Sequence, residues 1–222
     1  MVGHQTLDLR ALVRIQVPQP SNLEDSLVAV SPKRLSGPWA AGYALDLHTL
    51  SSDLIGYDEY GHEVFDTKRS DIGELLFRLK YRSDKTVIRV ITETAVEFVR
   101  SQAWEIDLVI PVPPSSQRTF QPVPALAQAI AETLGVSCCT DCVVKVRETP
   151  KLKNVFGPSE RLKLLGDAFA VSKTAMVGRS VLLFDDLYRS GATLQAVSAA
   201  LLENAQVNSL YVLTLTMTRT LR

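Results

Sequence analysis

Apolar residues recur along this chain with two different periods. In one pattern they return every three or four positions, which predicts amphipathic helices. These helices are predicted at residues 70–81, 84–102, 124–136 and 193–205. Between them lie short, nearly continuous apolar runs, which are typical of strands buried on both faces of a sheet. These strands are predicted at residues 106–113, 135–146, 180–187 and 209–217.

Because strands and helices alternate from residue 86 onward, the chain predicts an α/β fold with a mostly parallel central sheet flanked by helices. The first 65 residues lack this alternation and carry only short strand-like pieces and a hairpin or loop at 56–65. The strand-like pieces are 12–17, 26–30 and 42–50. We therefore expect a β-rich N-terminal hood in residues 1–67 and an α/β core in residues 68–222.

Composition narrows the classes of function. The chain has 222 residues, with 24 lysines and arginines against 24 aspartates and glutamates, so it has no net positive field that would attract DNA, RNA or anionic lipid. Its longest apolar runs are far shorter than the roughly 20 residues that cross a bilayer, and its first residues lack the apolar core of a signal peptide. We expect a cytoplasmic protein with no membrane contact and no strong direct binding to nucleic acid.

Three cysteines, Cys138, Cys139 and Cys142, lie close together. The last two have the Cys-x-x-Cys spacing that metal and redox sites use. A structural zinc site needs four ligands, however, and the sequence has no second cysteine pair and no histidine nearby. We interpret the cysteines as reduced structural thiols rather than as a metal or redox site.

The stretch "VLLFDDLYRSGATLQ", residues 181–195, carries the strongest functional signal. Asp185 and Asp186 come at the carboxyl end of a predicted strand, where parallel sheets bind their ligands. Gly191 and the unpaired N–H groups of the next helix suit a phosphate. Adjacent carboxylates repel phosphate and suit vicinal hydroxyls, or a Mg²⁺ shared with a phosphorylated ligand. We predict a site for a phosphorylated sugar; the alternative is a helix cap beside two solvated acids.

The same stretch resembles the phosphoribosyl pyrophosphate (PRPP) binding signature of type I phosphoribosyltransferases. The resemblance implies that Asp185 and Asp186 contact the ribose hydroxyls and that the following loop binds the 5′-phosphate. The matching loop residues are Arg189, Ser190, Gly191, Ala192 and Thr193. Arg189 stands where the family usually has threonine, and its guanidinium can add a charge-assisted contact to the phosphate.

Three further segments resemble, in the same order, the competence protein F (ComF) type of phosphoribosyltransferase. They are "ELLFRLKYRSD", "DLVIPVPPSSQRTFQPVPALAQAIAETLGV" and "RETPKLKNVFGPSERLKLLGDAFAV". Together with the signature, they extend the resemblance over about residues 68–218. Proteins of the ComF type often carry an N-terminal cysteine-rich zinc ribbon, whereas this chain has no cysteine before Cys138. The resemblance is therefore to a divergent branch with a different cap.

The resemblance also implies roles for two loops. The loop after the predicted strand 106–113 is expected to bind pyrophosphate, through Ser115, Ser116, Gln117 and Arg118. The basic segment 147–161 is expected to close over the reacting centre, where its cations would neutralise the departing pyrophosphate. These cations are Arg147, Lys151, Lys153 and Arg161. Both loops can equally be solvated surface, as can Lys80 and Arg82 at the end of the first predicted helix.

Together these features predict an enzyme that binds PRPP with Mg²⁺ and transfers the phosphoribosyl group to a nitrogen nucleophile such as a nucleobase, releasing pyrophosphate. Asp185, Asp186, Lys151 and Lys153 are the expected catalytic residues, and Mg²⁺ is expected to be held mainly through PRPP.

Two alternative functions do not involve catalysis. One is a non-catalytic PRPP or nucleotide-binding regulator, and the other is a ComF-like accessory protein for DNA uptake that acts through protein partners. A Mg²⁺-dependent phosphatase is disfavoured, because the sequence offers no activated nucleophilic aspartate. A homodimer is left open.

Overall fold

The computed structural model describes residues 27–114, 119–146, 168–172 and 176–219. The strands are β1 (Lys33–Arg34), β2 (Ala41–Leu47), β3 (Thr49–Tyr57), β4 (Glu63–Arg69), β5 (Leu108–Pro111), β6 (Ser137–Cys138), β7 (Val143–Lys145), β8 (Phe169–Val171), β9 (Ser180–Tyr188) and β10 (Ser209–Met217). The helices are α1 (Asp71–Tyr81), α2 (Ile88–Ser101), α3 (Pro122–Leu134) and α4 (Ala192–Asn204). A short 3₁₀ turn, Lys85–Val87, leads directly into α2.

Within the described residues, six strands form one central sheet in the order β1-β2-β10-β9-β5-β6. The β1–β2 pair is antiparallel, and the other pairs of this sheet are parallel. Met217 at the end of β10 lies opposite both Leu47 and Tyr188, the last residues of β2 and β9. The carboxyl ends of three neighbouring strands therefore meet at one edge of the sheet. The predicted mostly parallel sheet flanked by helices is confirmed.

Helices cover both faces of this sheet. Leu183 of β9 packs in one core cluster with Val197 of α4. Its neighbour Leu182 packs in a second cluster, with Ile72 of α1 and Ile130 of α3. Because successive side chains of a strand point to opposite faces, β9 is buried on both, which explains why its apolar run is continuous rather than alternating.

Ser70 ties the start of α1 to the carboxyl end of β2. Its Oγ accepts a hydrogen bond from the backbone N–H of Gly73 at 3.1 Å, as a helix N-cap does. The same hydroxyl donates to the carbonyl oxygen of Leu47 at 2.5 Å. The first turn of α1 is thus fixed at the edge of the sheet where the three strands end.

The strand-like piece predicted at 26–30 is wrong for its described residues, 27–30, which form no strand; the backbone N–H of Val28 donates to the side chain of Thr94 on α2 instead of to a neighbouring strand. The predicted helices and the strands predicted from residue 106 onward are found close to their predicted bounds, with one exception. Residues 135–146, predicted as a single strand, form two short strands in different sheets: β6 belongs to the central sheet, and β7 pairs with β8 in a separate ribbon. The prediction is wrong because the turn at 139–142 separates two apolar pieces that the sequence presents as one run. The strand predicted at 209–217 is found with those bounds.

The first part of the chain contributes to the central sheet as well as to a separate hairpin. Strand β2, which precedes the predicted boundary at residues 67 and 68, pairs with β10, and its Ala44 and Leu45 are fully buried. Strands β3 and β4 form the hairpin that was one of the two interpretations of residues 56–65. The strand-like piece 12–17 lies outside the described residues, and the division into hood and core stays a prediction.

The cysteines differ from the expectation of reduced thiols. Cys139 and Cys142 form a disulfide across the turn between β6 and β7, while Cys138 is a free thiol. The expectation is wrong for this pair because the turn brings the two Cα atoms to 5.5 Å, a separation that suits a disulfide. Among the described residues, no helix is both long and apolar enough to cross a membrane.

Candidate functional site

The acidic pair lies in the last part of β9, at the edge where β2, β10 and β9 end. Asp185 is opposite Thr214 of β10, and its Oδ1 accepts the backbone N–H of Asp186 at 2.8 Å. The prediction that both carboxylates lie near the carboxyl end of a buried strand is therefore matched by the geometry. Asp186 is buried and Asp185 is half-buried, so neither is the freely solvated acid of the alternative interpretation.

Lys80, in the last turn of α1, forms an ion pair with the acidic pair. Its Nζ lies 2.6 Å from Oδ2 of Asp186, and the two side chains are only 17% and 11% exposed. The sequence left Lys80 open between a ligand contact and an ordinary solvated lysine. The structure places it instead as the internal counter-ion of Asp186, whose carboxylate oxygens can accept hydrogen bonds.

Asp185 has an unusual affinity for its proton. Burial, followed by the negative charge of Asp186, raises the pKa of Asp185 to about 8, and the N–H of Asp186 and the charge of Lys80 oppose this shift. Asp185 is therefore expected to hold its proton at neutral pH, beside a carboxyl group that is paired with a lysine. Such a shift in pKa is common at functional sites, although structural ion pairs can also produce it.

The loop after β9 has the features of an anion site. Gly191 has φ 74°, and a Cβ atom there would clash with the hydroxyl of Tyr188, so only glycine fits. It precedes Ala192, the first residue of α4, and this helix begins without a side-chain N-cap hydrogen bond. The first N–H groups of α4 thus lack the cap that most helices supply themselves, which leaves them and the positive end of the helix dipole for an anion.

The other predicted loop residues surround this helix start. Arg189 and Ser190 are exposed, Ala192 is buried and Thr193 is half-buried. Arg189 and Ser190 are therefore accessible to a ligand without any change in the fold. Their part in phosphate binding, like that of the whole loop, stays a prediction.

His48 is a site residue that the sequence analysis missed. It directly follows β2, and its backbone N–H donates to the carbonyl of Met217 at 2.8 Å. Its ring Nδ1 lies 3.2 Å from Oγ1 of Thr216, and Thr216 contacts the backbone oxygen of Asp186. In the sequence, His48 is only a histidine near the end of a strand-like run. It could not be assigned to the site, because the sequence does not show that this strand lies beside β10.

Several predicted site residues lie outside the described residues. They are Ser115, Ser116, Gln117 and Arg118 of the predicted pyrophosphate loop, and Arg147, Lys151, Lys153 and Arg161 of the predicted closing segment. The residues that lead to the first of these loops are described. The N–H of Val112 donates to the carbonyl of Phe184 at 2.8 Å, so the chain after β5 passes beside the residue that precedes the acidic pair.

No family model matches the chain, and no curated protein matches it. Solved structures do. An adenine phosphoribosyltransferase is similar with a TM-score of 0.42, at 17% identity over 74% of this chain and 85% of that one. The adenine phosphoribosyltransferase of Saccharomyces cerevisiae, in complex with D-2,5-dideoxy-2,5-imino-altritol 1,6-bisphosphate and adenine, is similar with a TM-score of 0.45, at 15% identity over 76% and 85% of the chains.

A third similar structure is the glutamine PRPP amidotransferase of B. subtilis, in complex with ADP and GMP. Its TM-score is 0.45 at 17% identity, over 71% of this chain but only 34% of the amidotransferase chain. Similarity at this level assigns neither a family nor an activity to the chain. The ComF-type resemblance also stays a prediction.

Proposed function

We propose that this protein binds PRPP with Mg²⁺ and transfers its phosphoribosyl group to a nitrogen nucleophile such as a nucleobase, releasing pyrophosphate. One observation carries the proposal. The half-buried Asp185 and the buried Asp186 are followed, five residues after Asp186, by the glycine of a turn and then by a helix that begins without a side-chain cap. Acceptors for hydroxyl groups and donors for a phosphate are thereby placed at one sheet edge, as a sugar phosphate requires.

Each end of the sugar phosphate has its own partner. The carboxyl oxygens of Asp186, which is paired with Lys80, accept hydrogen bonds from ribose hydroxyls, and Asp185 offers a second carboxyl group beside it. The 5′-phosphate binds the first N–H groups of α4, the hydroxyl of Ser190 and the guanidinium of Arg189. Fixing both ends orients C1 of the ribose, which favours the reaction by positioning rather than by a protein nucleophile.

In the transfer step, the bond from C1 to the pyrophosphate oxygen breaks, and its electron pair leaves with the pyrophosphate while the C1–N bond forms. Mg²⁺, when bound, neutralises the charge that develops on this leaving group. The described carboxylates suit a metal that enters with PRPP, since Asp186 already has Lys80 as its cation and Asp185 holds a proton at neutral pH. Lys151 and Lys153 are proposed to neutralise the same leaving group.

The first experiment is calorimetric titration of PRPP with Mg²⁺. Asp185→Asn/Asp186→Asn is expected to abolish binding, whereas Asp53→Asn/Asp66→Asn is expected to bind as the wild type does. The control is matched because Asp53 and Asp66 are also two neighbouring carboxylates, opposite each other on the exposed hairpin. Arg189→Ala/Ser190→Ala, which alters only exposed side chains, is expected to weaken binding without affecting folding.

A second assay separates binding from catalysis. Pyrophosphate release from PRPP is measured with a panel of nucleobases and other nitrogen nucleophiles, on the wild type and on Lys151→Ala/Lys153→Ala. We expect release with at least one nucleophile and a slower rate in the variant. Binding of PRPP without release would contradict the enzyme and leave a PRPP-binding regulator, and no binding by the wild type would contradict the site itself.

A further inference from the structure

His48 directly follows β2, lies at the same sheet edge as the acidic pair and is held there by contacts to β10. Its backbone is bonded to Met217 of β10, and its ring to Thr216 of the same strand. The hydroxyl of Thr216 also reaches the backbone oxygen of Asp186, at 3.2 Å. A continuous chain of contacts thus runs from the imidazole to the backbone of the acidic pair, through a threonine that is completely buried.

This chain of hydrogen bonds favours one tautomer of the imidazole. A threonine hydroxyl has one proton to donate. Because a carbonyl oxygen can only accept a hydrogen bond, Thr216 is the donor in its contact with the backbone oxygen of Asp186. With that proton used, the arrangement that completes the contact between Thr216 and His48 is a ring that donates from Nδ1–H. A neutral imidazole that carries its proton on Nδ1 has a bare lone pair on Nε2, and in the described part of the chain no hydrogen bond to Nε2 is present.

The surroundings of His48 keep the ring neutral. Burial and then the positive charges of Arg69 on β4, Lys80 on α1 and Arg189 after β9 lower its pKa from the usual value of 6.5, and the negative charge of Asp186 opposes them only in part. At neutral pH the imidazole is a proton acceptor rather than a cation. Bound PRPP would add negative charge beside these three cations, which makes protonation of the ring easier in the complex than in the free protein.

We propose that His48 Nε2 is the base that accepts the proton of the attacking nitrogen during phosphoribosyl transfer. This role rests on the proposed function. As the nitrogen lone pair forms the bond to C1, the bond from C1 to the pyrophosphate oxygen breaks with its electron pair on the oxygen. The N–H proton of the nucleophile moves to Nε2, and the resulting imidazolium later returns it to solvent. Thr216 is a positioning residue, since it acts only by setting the tautomer.

The tautomer is tested without any turnover, by ¹⁵N NMR of the histidine rings in the full chain. His4→Gln and His62→Gln assign the His48 signals, since the chain has three histidines. At pH 7.5 we expect a protonated Nδ1 and an unprotonated Nε2 for His48. Thr216→Val is expected to give a mixture of tautomers, and Thr216→Ser to restore the wild-type pattern. A proton on Nε2 in the wild type would overturn the proposal.

The catalytic role is tested with whichever nucleophile supports pyrophosphate release. We expect His48→Gln to lower kcat by about 100-fold, the low end of what general-base catalysis contributes, with the calorimetric Kd for PRPP unchanged. His62→Gln, in the exposed hairpin turn, is the matched control and should keep the wild-type kcat. Wild-type kcat/KM should fall at low pH with the titration of His48 that NMR measures in the free protein, and this dependence should be absent in His48→Gln.

The failure of this role and that of the proposed function are distinguishable. Unchanged kcat in His48→Gln, with active wild type, overturns the base and leaves the transferase intact. PRPP binding without release for any nucleophile overturns the transferase and the base role together, whatever tautomer NMR shows. An equal loss of PRPP affinity and of kcat in His48→Gln would show a structural residue and would also overturn the proposal.

Discussion

Removing the ammonium group of Lys80 tests whether the acidic pair depends on an internal counter-ion. At a separation of 2.6 Å, the attraction between two unit charges is about 6 kcal/mol for an effective dielectric constant of about 20. Most of this attraction is offset by the cost of removing both groups from water. In Lys80→Met that cost remains for Asp186, which is buried beside a second carboxyl group, but the attraction is gone.

The loss of stability has an upper limit that depends on pH. A carboxylate left without its cation can take up a proton, which for a carboxyl group of ordinary acidity costs about 4 kcal/mol at pH 7 and about 1.5 kcal/mol at pH 5. We therefore expect Lys80→Met to lower the free energy of unfolding by about 2–4 kcal/mol at pH 7, and by less than about 1.5 kcal/mol at pH 5.

Urea denaturation at the two pH values, followed by circular dichroism, measures this difference. Lys68→Met is the matched control, because Lys68 is exposed on β4, and should change stability by less than about 0.5 kcal/mol. Lys80→Met/Asp186→Asn should recover at least half of the loss, since no charge is then left unpaired. An equal loss at pH 5 and pH 7 would refute the reasoning and show that packing, not charge, is lost.

Three further predictions concern other parts of the molecule. Because the pKa of Asp185 is raised, the folded chain holds a proton that the unfolded chain releases near pH 4. Wild-type stability should therefore fall as the pH rises from about 4 to 8. Asp185→Asn should lack this fall and should exceed the wild type most at pH 9, which urea midpoints at pH 5, 7 and 9 would measure. Gly191→Ala should cost about 1–2 kcal/mol because of its positive φ and its clash with Tyr188, and Tyr188→Phe should recover part of the loss in thermal melts. Reduction should lower wild-type stability by about 2 kcal/mol, the entropy expected for a loop as short as Cys139–Cys142, and the melting temperature of Cys139→Ser/Cys142→Ser should not respond to a phosphine reductant.

Local sequence was a good guide wherever one side chain or one period decides the structure. The helix at 70–81 was predicted from its apolar stripe and begins at the Ser70 cap. The helix predicted at 124–136 ends at Leu134, because Gly135 follows it with φ 75°, the left-handed conformation in which glycine commonly ends a helix. The continuous apolar run of β9 correctly indicated a strand covered on both faces. Each of these features is set by contacts within a few residues or by burial alone.

The candidate site was predictable in part. The acidic pair and the glycine turn are contiguous in sequence, so their relation to one strand end could be inferred. Lys80 and His48 could not be assigned, since they are 106 and 138 residues from Asp186 in sequence (186 − 80 and 186 − 48). Their contacts depend on strand order, which places β2 beside β10 and β10 beside β9.

The sequence by itself determined the elements of this protein, the buried strand with its carboxylates and the glycine that the turn requires, because these follow from period, burial and backbone conformation. Only the tertiary structure decided the charge and protonation of the site. The ion pair of Lys80, the raised pKa of Asp185 and the contact of His48 with Thr216 arise from groups on α1, β9 and β10 and directly after β2 that meet at one sheet edge. Electrostatic interactions act through space and are strengthened by burial, so they depend on proximity that no local pattern records.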